Sequence, residues 1–187
     1  MLKTYSDNYI GQNKALHDAP RGFGSGGANR LKKVLELITK YHCHSMLDYG
    51  AGQNTLSKAL AEVPSIPVIA YDPAVPEISQ KPPADIKFDL VTCTDVLEHI
   101  EPEFLDAVIT ELYSYTGKAC HLLIACTEAN KTLPDGRNAH LIQKPPEWWE
   151  DKLTRFDWSI AESVKQWDKY KPNTVKKWHV TLVKNYA

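Results

Sequence analysis

Apolar residues recur at two spacings in this chain, and the two alternate along its length. Between residues 28 and 41, Leu31, Val34, Leu35 and Ile38 fall at helical spacing with Arg30, Lys32 and Lys33 opposite, which predicts an amphipathic helix. Residues 45–48 then read as a buried strand, 50–52 as a glycine turn, and Leu56, Ala59 and Leu60 as the inner face of a helix ended by Pro64. Residues 67–72 (PVIAYD) predict a second short strand closed by an acid, and Pro73 and Pro76 block helix after it. The stretch 79–87 (SQKPPADIK) is too rich in proline to place a strand.

The alternation then resumes. Residues 88–93 (FDLVTC) predict a strand, and Asp95 and Glu98 stand at the spacing of a capping box. Phe104, Leu105, Val108, Ile109 and Leu112 mark a helix over 101–115, and the apolar run 119–126 predicts a central strand buried on both faces. Pro145-Pro146-Glu147 looks like a helix start, and strands over 156–163 and 177–183 flank a polar turn at 168–174, as in an antiparallel hairpin of two edge strands. Near the N-terminus, Tyr5, Tyr9 and Leu16 could share one face of a short helix ended by Pro20. The glycine-rich 21–27 that follows is either a linker or a lid with Phe23 as its apolar contact. Helices alternating with apolar strands predict an α/β class: a Rossmann-like, doubly wound sheet in three α/β/α layers, mostly parallel with an antiparallel C-terminal hairpin.

At 187 residues the chain suits one domain, 1–187, with 1–30 as a cap or lid and 127–153 as a substrate-side loop and helix. A formal net charge of -1 gives no strong nucleic-acid signal, although lysines gather between 165 and 184. Cys43, Cys93, Cys120 and Cys126 form no C-x-x-C pair and suit a reducing compartment. His42-Cys43-His44 lacks matching ligands elsewhere at a recognisable spacing, so no metal is expected. No apolar run approaches the ~18 residues of a membrane span, and the N-terminus lacks a signal-peptide core, so a cytoplasmic location is expected.

The chemistry concentrates at 46–60. A strand ending in Asp48, the turn Gly50-Ala51-Gly52, a helix N-terminus and a second acid at Asp72 form a nucleotide-binding plan, because the glycines permit a sharp turn and Asp72 can accept ribose hydroxyls. A dinucleotide fingerprint would need glycine where Thr55 stands, and Asp48 suits a ligand bearing an ammonium and a sulfonium better than a pyrophosphate.

The D-x-G-x-G of Asp48, Gly50 and Gly52, the acid Asp72 and the segment FDLVTCTDVLEHI (88–100) resemble the class I S-adenosylmethionine-dependent methyltransferases, clearly over residues 30–126. The small members with a D-V-L-E-H segment are the most similar group. Asn13 to His17 and LPDGRNAHL with PPEWW also resemble a subset encoded by phages or bacteria. The resemblance implies S-adenosyl-L-methionine as cofactor and S-adenosyl-L-homocysteine as product. It places Asp48, Gly50, Ala51 and Gly52 at the methionine end, Asp72 at the ribose, and Thr94 and Asp95 near the adenine together with the segment at Asp85-Ile86. Asn54 replaces the family's third glycine and tolerates a left-handed backbone.

Methyl transfer is an in-line displacement, so positioning supplies most of the catalysis and a base is needed only for some acceptors. His99 and His140, with His17 behind them, are the candidate bases; Arg137, His140 and Trp148 are the candidate substrate contacts. No [N/D/S]-P-P-[Y/F/W] segment follows the strand at 88–93, and no Pro-Cys nucleophile is present, which argues against nucleobase or amino acceptors of those types. A small-molecule acceptor, or a small exposed group, is expected. Two alternatives remain: a catalytically silent cofactor- or partner-binding domain of the same fold, and an NAD-dependent oxidoreductase.

Overall fold

The computed structural model describes residues 3–18, 24–62 and 66–185. The elements in order are α1 (Asp7–Asp18), α2 (Leu31–Lys40), β1 (Met46–Tyr49), α3 (Thr55–Ala61), β2 (Val68–Tyr71), β3 (Phe88–Thr94), α4 (Leu105–Tyr115), β4 (Thr116–Ala125), α5 (Pro146–Thr154), β5 (Trp158–Trp167) and β6 (Val175–Lys184). Six strands form one sheet in the order β2-β1-β3-β4-β6-β5. The first four run parallel, and β6 and β5 join antiparallel.

The layers follow from alternation along the strands. Met46, Leu90 and Ala119 face α2 and α3, where Val34, Leu37, Leu56 and Leu60 cover them. Leu47, Val91 and Cys120 face the other way, onto Leu105, Val108, Ile109 and Leu112 of α4 and Trp149 and Leu153 of α5. α2 has no side-chain hydrogen bond at its N-cap, a loss of about 1 kcal/mol. Val34 and Leu37 are fully buried, at about 1.5–3 kcal/mol each, so packing decides this helix.

Several sequence expectations shift. The hairpin does not add two edge strands: β6 lies between β4 and β5, and only β5 is at the edge. β5 starts and ends later than expected, spanning Trp158–Trp167 after α5 has run to Thr154. No strand forms between Tyr71 and Phe88; a single 3-10 turn over Pro76–Ile78 occupies part of that prolyl stretch. Arg30 is not on the outer face, since its side chain turns inward to Asp95. The capping box is absent, and Asp95 takes a left-handed backbone (φ 56°) before a short 3-10 turn at Leu97–His99. Phe23, Pro20 and Pro64 lie outside the described residues. The C-terminal lysines are partly consumed internally, Lys165 pairing with Glu147 and Lys177 with Asp95.

Of the five tryptophans, Trp149, Trp158 and Trp178 are buried between sheet and helices, as a packing role requires. α1 joins a separate small core in which Tyr9 and Leu16 meet Leu133 and Ala139. The N-terminal helix and the long loop after β4 are thereby one packed unit.

The turn after β1 is the most sterically demanding point. Gly50 has φ 75°, and a Cβ there would sit 2.4 Å from Val96 Cγ2. Left-handed strain and overpacking together set the expected cost of Gly50→Ala at about 2–4 kcal/mol. Gly26, which has open space at its Cβ position, serves as control, with Gly26→Ala expected within about 0.5 kcal/mol of wild type. Urea unfolding of the two variants checks the contrast.

Candidate functional site

A cavity of about 390 Å³ opens at the C-terminal ends of β1, β2 and β3, where open α/β sheets place their ligands. Its floor is the loop after β1. Tyr71 accepts hydrogen bonds from the Gly50 and Ala51 N–H groups at 2.7 and 3.0 Å. Asp72 continues the same work, its Oδ2 accepting the Gly52 N–H and its Oδ1 the Ala74 N–H, both at 2.9 Å. The turn is thus fixed by the end of the neighbouring strand. Its glycines also serve packing: Gly50 yields space to Val96, and Gly52 lies under the backbone of Gly24. The segment Gly24–Gly27 therefore rests on the turn and lines the cavity.

Asp48 and Asp72 both line this cavity and are both nearly excluded from solvent. Thr92 Oγ1 donates to Asp48 Oδ1 at 2.9 Å. Burial nevertheless pushes the Asp48 carboxyl up to about 6, and the nearby Asp72 adds to the rise. Asn54 adopts φ 57°, the left-handed state anticipated for it, as the residue before α3.

The far end of the cavity is made by the segment after β3. Asp95 sits between two cations, with Arg30 Nη2 at 2.8 Å and Lys177 Nζ at 2.6 Å. Burial opposes the charge of Asp95, but Lys177 and Arg30 hold its carboxyl below the usual range. Beside it, Glu98 is fully buried; its Oε1 accepts the Ala125 N–H at 2.9 Å, while its Oε2 has no partner. Burial, then the charge of Asp95, pushes Glu98 up to about 8. The rings of His99 and His140 meet edge to face, with centroids 4.8 Å apart. Each Nδ1 lies against a main-chain carbonyl: His99 on Ala139 at 2.8 Å and His140 on Thr127 at 2.5 Å. A carbonyl only accepts, so both Nδ1 atoms carry the proton and both Nε2 atoms carry the lone pair. Burial, and then the neighbouring His140, lower His99 to about 4; burial also lowers His140.

Most of the residues singled out from sequence converge here: Asp48, Gly50, Ala51, Gly52, Asp72, Thr94, Asp95, His99 and His140 all line the cavity. Four do not. Asn54 shapes the turn from outside the lining. Arg137 lies apart from the cavity and pairs with Asp135 at 2.7 Å, because a type of tight loop closed by Gly136 brings those two side chains together. Trp148 stacks edge-on against Trp149 with Lys144 over its ring, so it packs rather than walling the cavity. The segment at Asp85-Ile86 is exposed and also lies outside the lining.

The cavity adds residues that sequence reasoning passed over: Tyr5, Tyr9 and Asn13 from the N-terminal segment, Arg30, and Lys177. Arg30 and Lys177 stand 65 and 82 residues from Asp95, and no local pattern connects them. Tyr9 carried a signal as an apolar position on a predicted helix. Its hydroxyl donates to the His99 carbonyl, and Ser6 donates to both oxygens of Glu101, so α1 is moored beside the histidines.

No curated protein sequence matches the chain. Among solved structures, a Burkholderia thailandensis 1,6-didemethyltoxoflavin-N1-methyltransferase bound to S-adenosylhomocysteine superposes with a TM-score of 0.68 at 13% identity, over 100% of this chain and 92% of that one. The methyltransferase domain of a bacterial CtHen1 gives 0.62 at 15%, over 82% and 97%. The magnesium protoporphyrin IX methyltransferase of Synechocystis PCC 6803 with bound S-adenosylhomocysteine gives 0.52 at 16%, over 96% and 95%. At these identities the likeness establishes the fold. The family itself follows from a sequence model, described as a methyltransferase domain, that matches residues 17–170: the chain belongs to that methyltransferase family.

Proposed function

We propose that the protein transfers a methyl group from S-adenosyl-L-methionine to a small-molecule acceptor, or to a small exposed group, bound at the histidine end of the cavity. The observation that carries this reading is the pair of buried acids, Asp48 and Asp72, at the ends of adjacent strands around one glycine turn. Family membership supports S-adenosylmethionine as the cofactor. When bound, it supplies an electrophilic methyl group whose leaving sulfur departs neutral.

The residues present fit that group. Asp48 offers a buried carboxylate to the ammonium, and Asp72 retains lone pairs for the ribose hydroxyls after accepting two N–H groups. Thr94 and Asp95 close the cavity along its β3 side. Gly24–Gly27 and α1 wall it from the N-terminal side, so 1–30 acts as a cap and 127–153 as its partner. That enclosure favours a small acceptor. His99 and His140, neutral at physiological pH, present Nε2 lone pairs beside it.

Calorimetric and thermal-shift titration with S-adenosylmethionine, S-adenosylhomocysteine and NAD tests the reading. The two sulfur ligands bind, and Asp72→Ala weakens them at least a hundredfold; saturable binding of NAD alone would overturn it. A methylated product found by mass spectrometry in cell extract separates the enzyme from a silent binder of the same fold.

Asp48 generates a pH prediction. Its carboxyl titrates near 6 in the folded chain against about 3.9 unfolded. A raised folded value contributes stability that is complete below about pH 4 and lost as the pH rises through 6. A gap of about two pH units at about 1.4 kcal/mol each sets the ionised cost at up to about 3 kcal/mol. Asp48→Asn therefore stabilises the ligand-free protein by about 2 kcal/mol at pH 7.5 and has little effect at pH 4. Its S-adenosylhomocysteine affinity falls more than tenfold. In the wild type that affinity climbs between pH 5 and 7, as the ammonium meets an ionised Asp48.

A further inference from the structure

Three lone-pair atoms face one another at the inner end of the cavity. Glu98, His99 and His140 each offer one ligand atom, and the three lie within 4.8 Å of one another. Each residue is oriented by its other polar atom on a main-chain group. Glu98 Oε1 takes the Ala125 N–H, His99 Nδ1–H gives to Ala139, and His140 Nδ1–H gives to Thr127. The Glu98 main-chain carbonyl also takes the Ile142 N–H at 2.9 Å, so strand end and loop are locked together around the cluster.

This second layer matters because metal-bound histidines characteristically donate their other ring N–H to a carbonyl or carboxylate. It fixes both tautomers with Nε2 as the donor atom. Glu98 Oε2 is fully buried and without a hydrogen-bond partner, and an orphaned buried carboxylate oxygen is costly unless a proton or a cation meets it.

We propose that Glu98, His99 and His140 form a binding site for a divalent first-row metal ion beside the methyl-transfer position. Two imidazoles and one carboxylate suit Mn²⁺, Fe²⁺, Co²⁺ or Zn²⁺ and leave coordination positions open. Those positions face the cavity that His99 and His140 line. An ion about 2.1 Å from each ligand would draw the three atoms to about 3–3.4 Å of one another. The open positions suit an oxygen ligand on the acceptor. A hydroxyl bound there loses its proton to water more readily, because the ion stabilises the alkoxide. Only this acceptor role rests on the methyltransferase reading; the site itself does not.

Cobalt(II) tests the site directly. Tag-free protein titrated with Co²⁺ is expected to bind one equivalent with visible ligand-field absorption, matched in calorimetry by Mn²⁺. His140→Ala and Glu98→Gln each weaken Co²⁺ at least tenfold, and Glu98→Gln, whose side chain lies outside the cavity lining, keeps S-adenosylhomocysteine affinity within about threefold. If either variant fails to fold, the other still decides. Absence of stoichiometric Co²⁺ binding with S-adenosylhomocysteine binding intact would overturn the metal site and leave the methyltransferase reading standing, with Glu98 and the histidines sharing a proton instead. Binding unchanged in both variants would place the ion on other histidines and equally overturn it. Loss of S-adenosylhomocysteine binding by the wild type with Co²⁺ retained would instead defeat the methyltransferase reading.

Discussion

One carboxylate ties the cofactor end of this molecule together. Asp72 directly follows β2, and its two oxygens take the N–H of Gly52 from the loop after β1 and of Ala74 from its own loop. The Tyr71 carbonyl, one residue earlier, takes the Gly50 and Ala51 N–H groups. The strand that closes the parallel edge of the sheet thereby shapes the turn of its neighbour. A loop bent this sharply would otherwise leave several N–H groups unpaired beside a cavity. With the turn fixed, Gly24 can settle on Gly52 and Val96 on Gly50. Both contacts bring further walls to the same place.

The sheet, its layers and the donor end of the site were legible because their signals are local. Apolar patterning marked β1, β2 and β3 to within a residue or two and missed the start of β4 by three, and Asp48, Gly50, Gly52 and Asp72 carry their spacing in the sequence. Asn54 was legible for a backbone reason, its tolerance of positive φ. What failed to show were relations set by tertiary contact. Asp95 and Glu98 have the spacing of a capping box, yet Asp95 is pulled into a left-handed backbone between Arg30 and Lys177 while Glu98 is drawn inward to the Ala125 N–H. Neither cation has any sequence relation to the acid. The position of β6 inside the sheet was hidden for the same reason, since a hairpin read alone does not say which of its strands meets β4.

In the proposed reading, the acceptor end is built differently from the donor end. It hangs on loops: 127–144 and the N-terminal helix share the small core of Tyr9, Leu16, Leu133 and Ala139. Tyr9 and Ser6 moor that helix to the His99 carbonyl and to Glu101. The arrangement couples the cap to the histidines through a few short contacts, while the donor turn stays braced by the sheet. A rigid donor site beside a loop-built acceptor site allows one fold to serve many acceptors. The acceptors for which its structural neighbours are named, 1,6-didemethyltoxoflavin and magnesium protoporphyrin IX, illustrate that range for those proteins.

Electrostatics gives the two ends a common logic. Four acids, Asp48, Asp72, Asp95 and Glu98, are gathered around the cavity region, and the cations placed against them, Arg30 and Lys177, both go to Asp95. Asp48 and Glu98 respond in the same way, burial raising the carboxyl of each and a neighbouring acid raising it further. Such a site is destabilised by its own charges when empty, and the cost is recovered only by ligands that bring positive charge. At the Asp48 end the ammonium and sulfonium of the proposed cofactor would answer that need. At the Glu98 end, two neutral imidazoles with their protons turned toward carbonyls cannot supply it, so the positive charge has to come from a proton or from a metal ion. The imbalance of acids thus selects the charge of what each end of the cavity binds before any shape is considered.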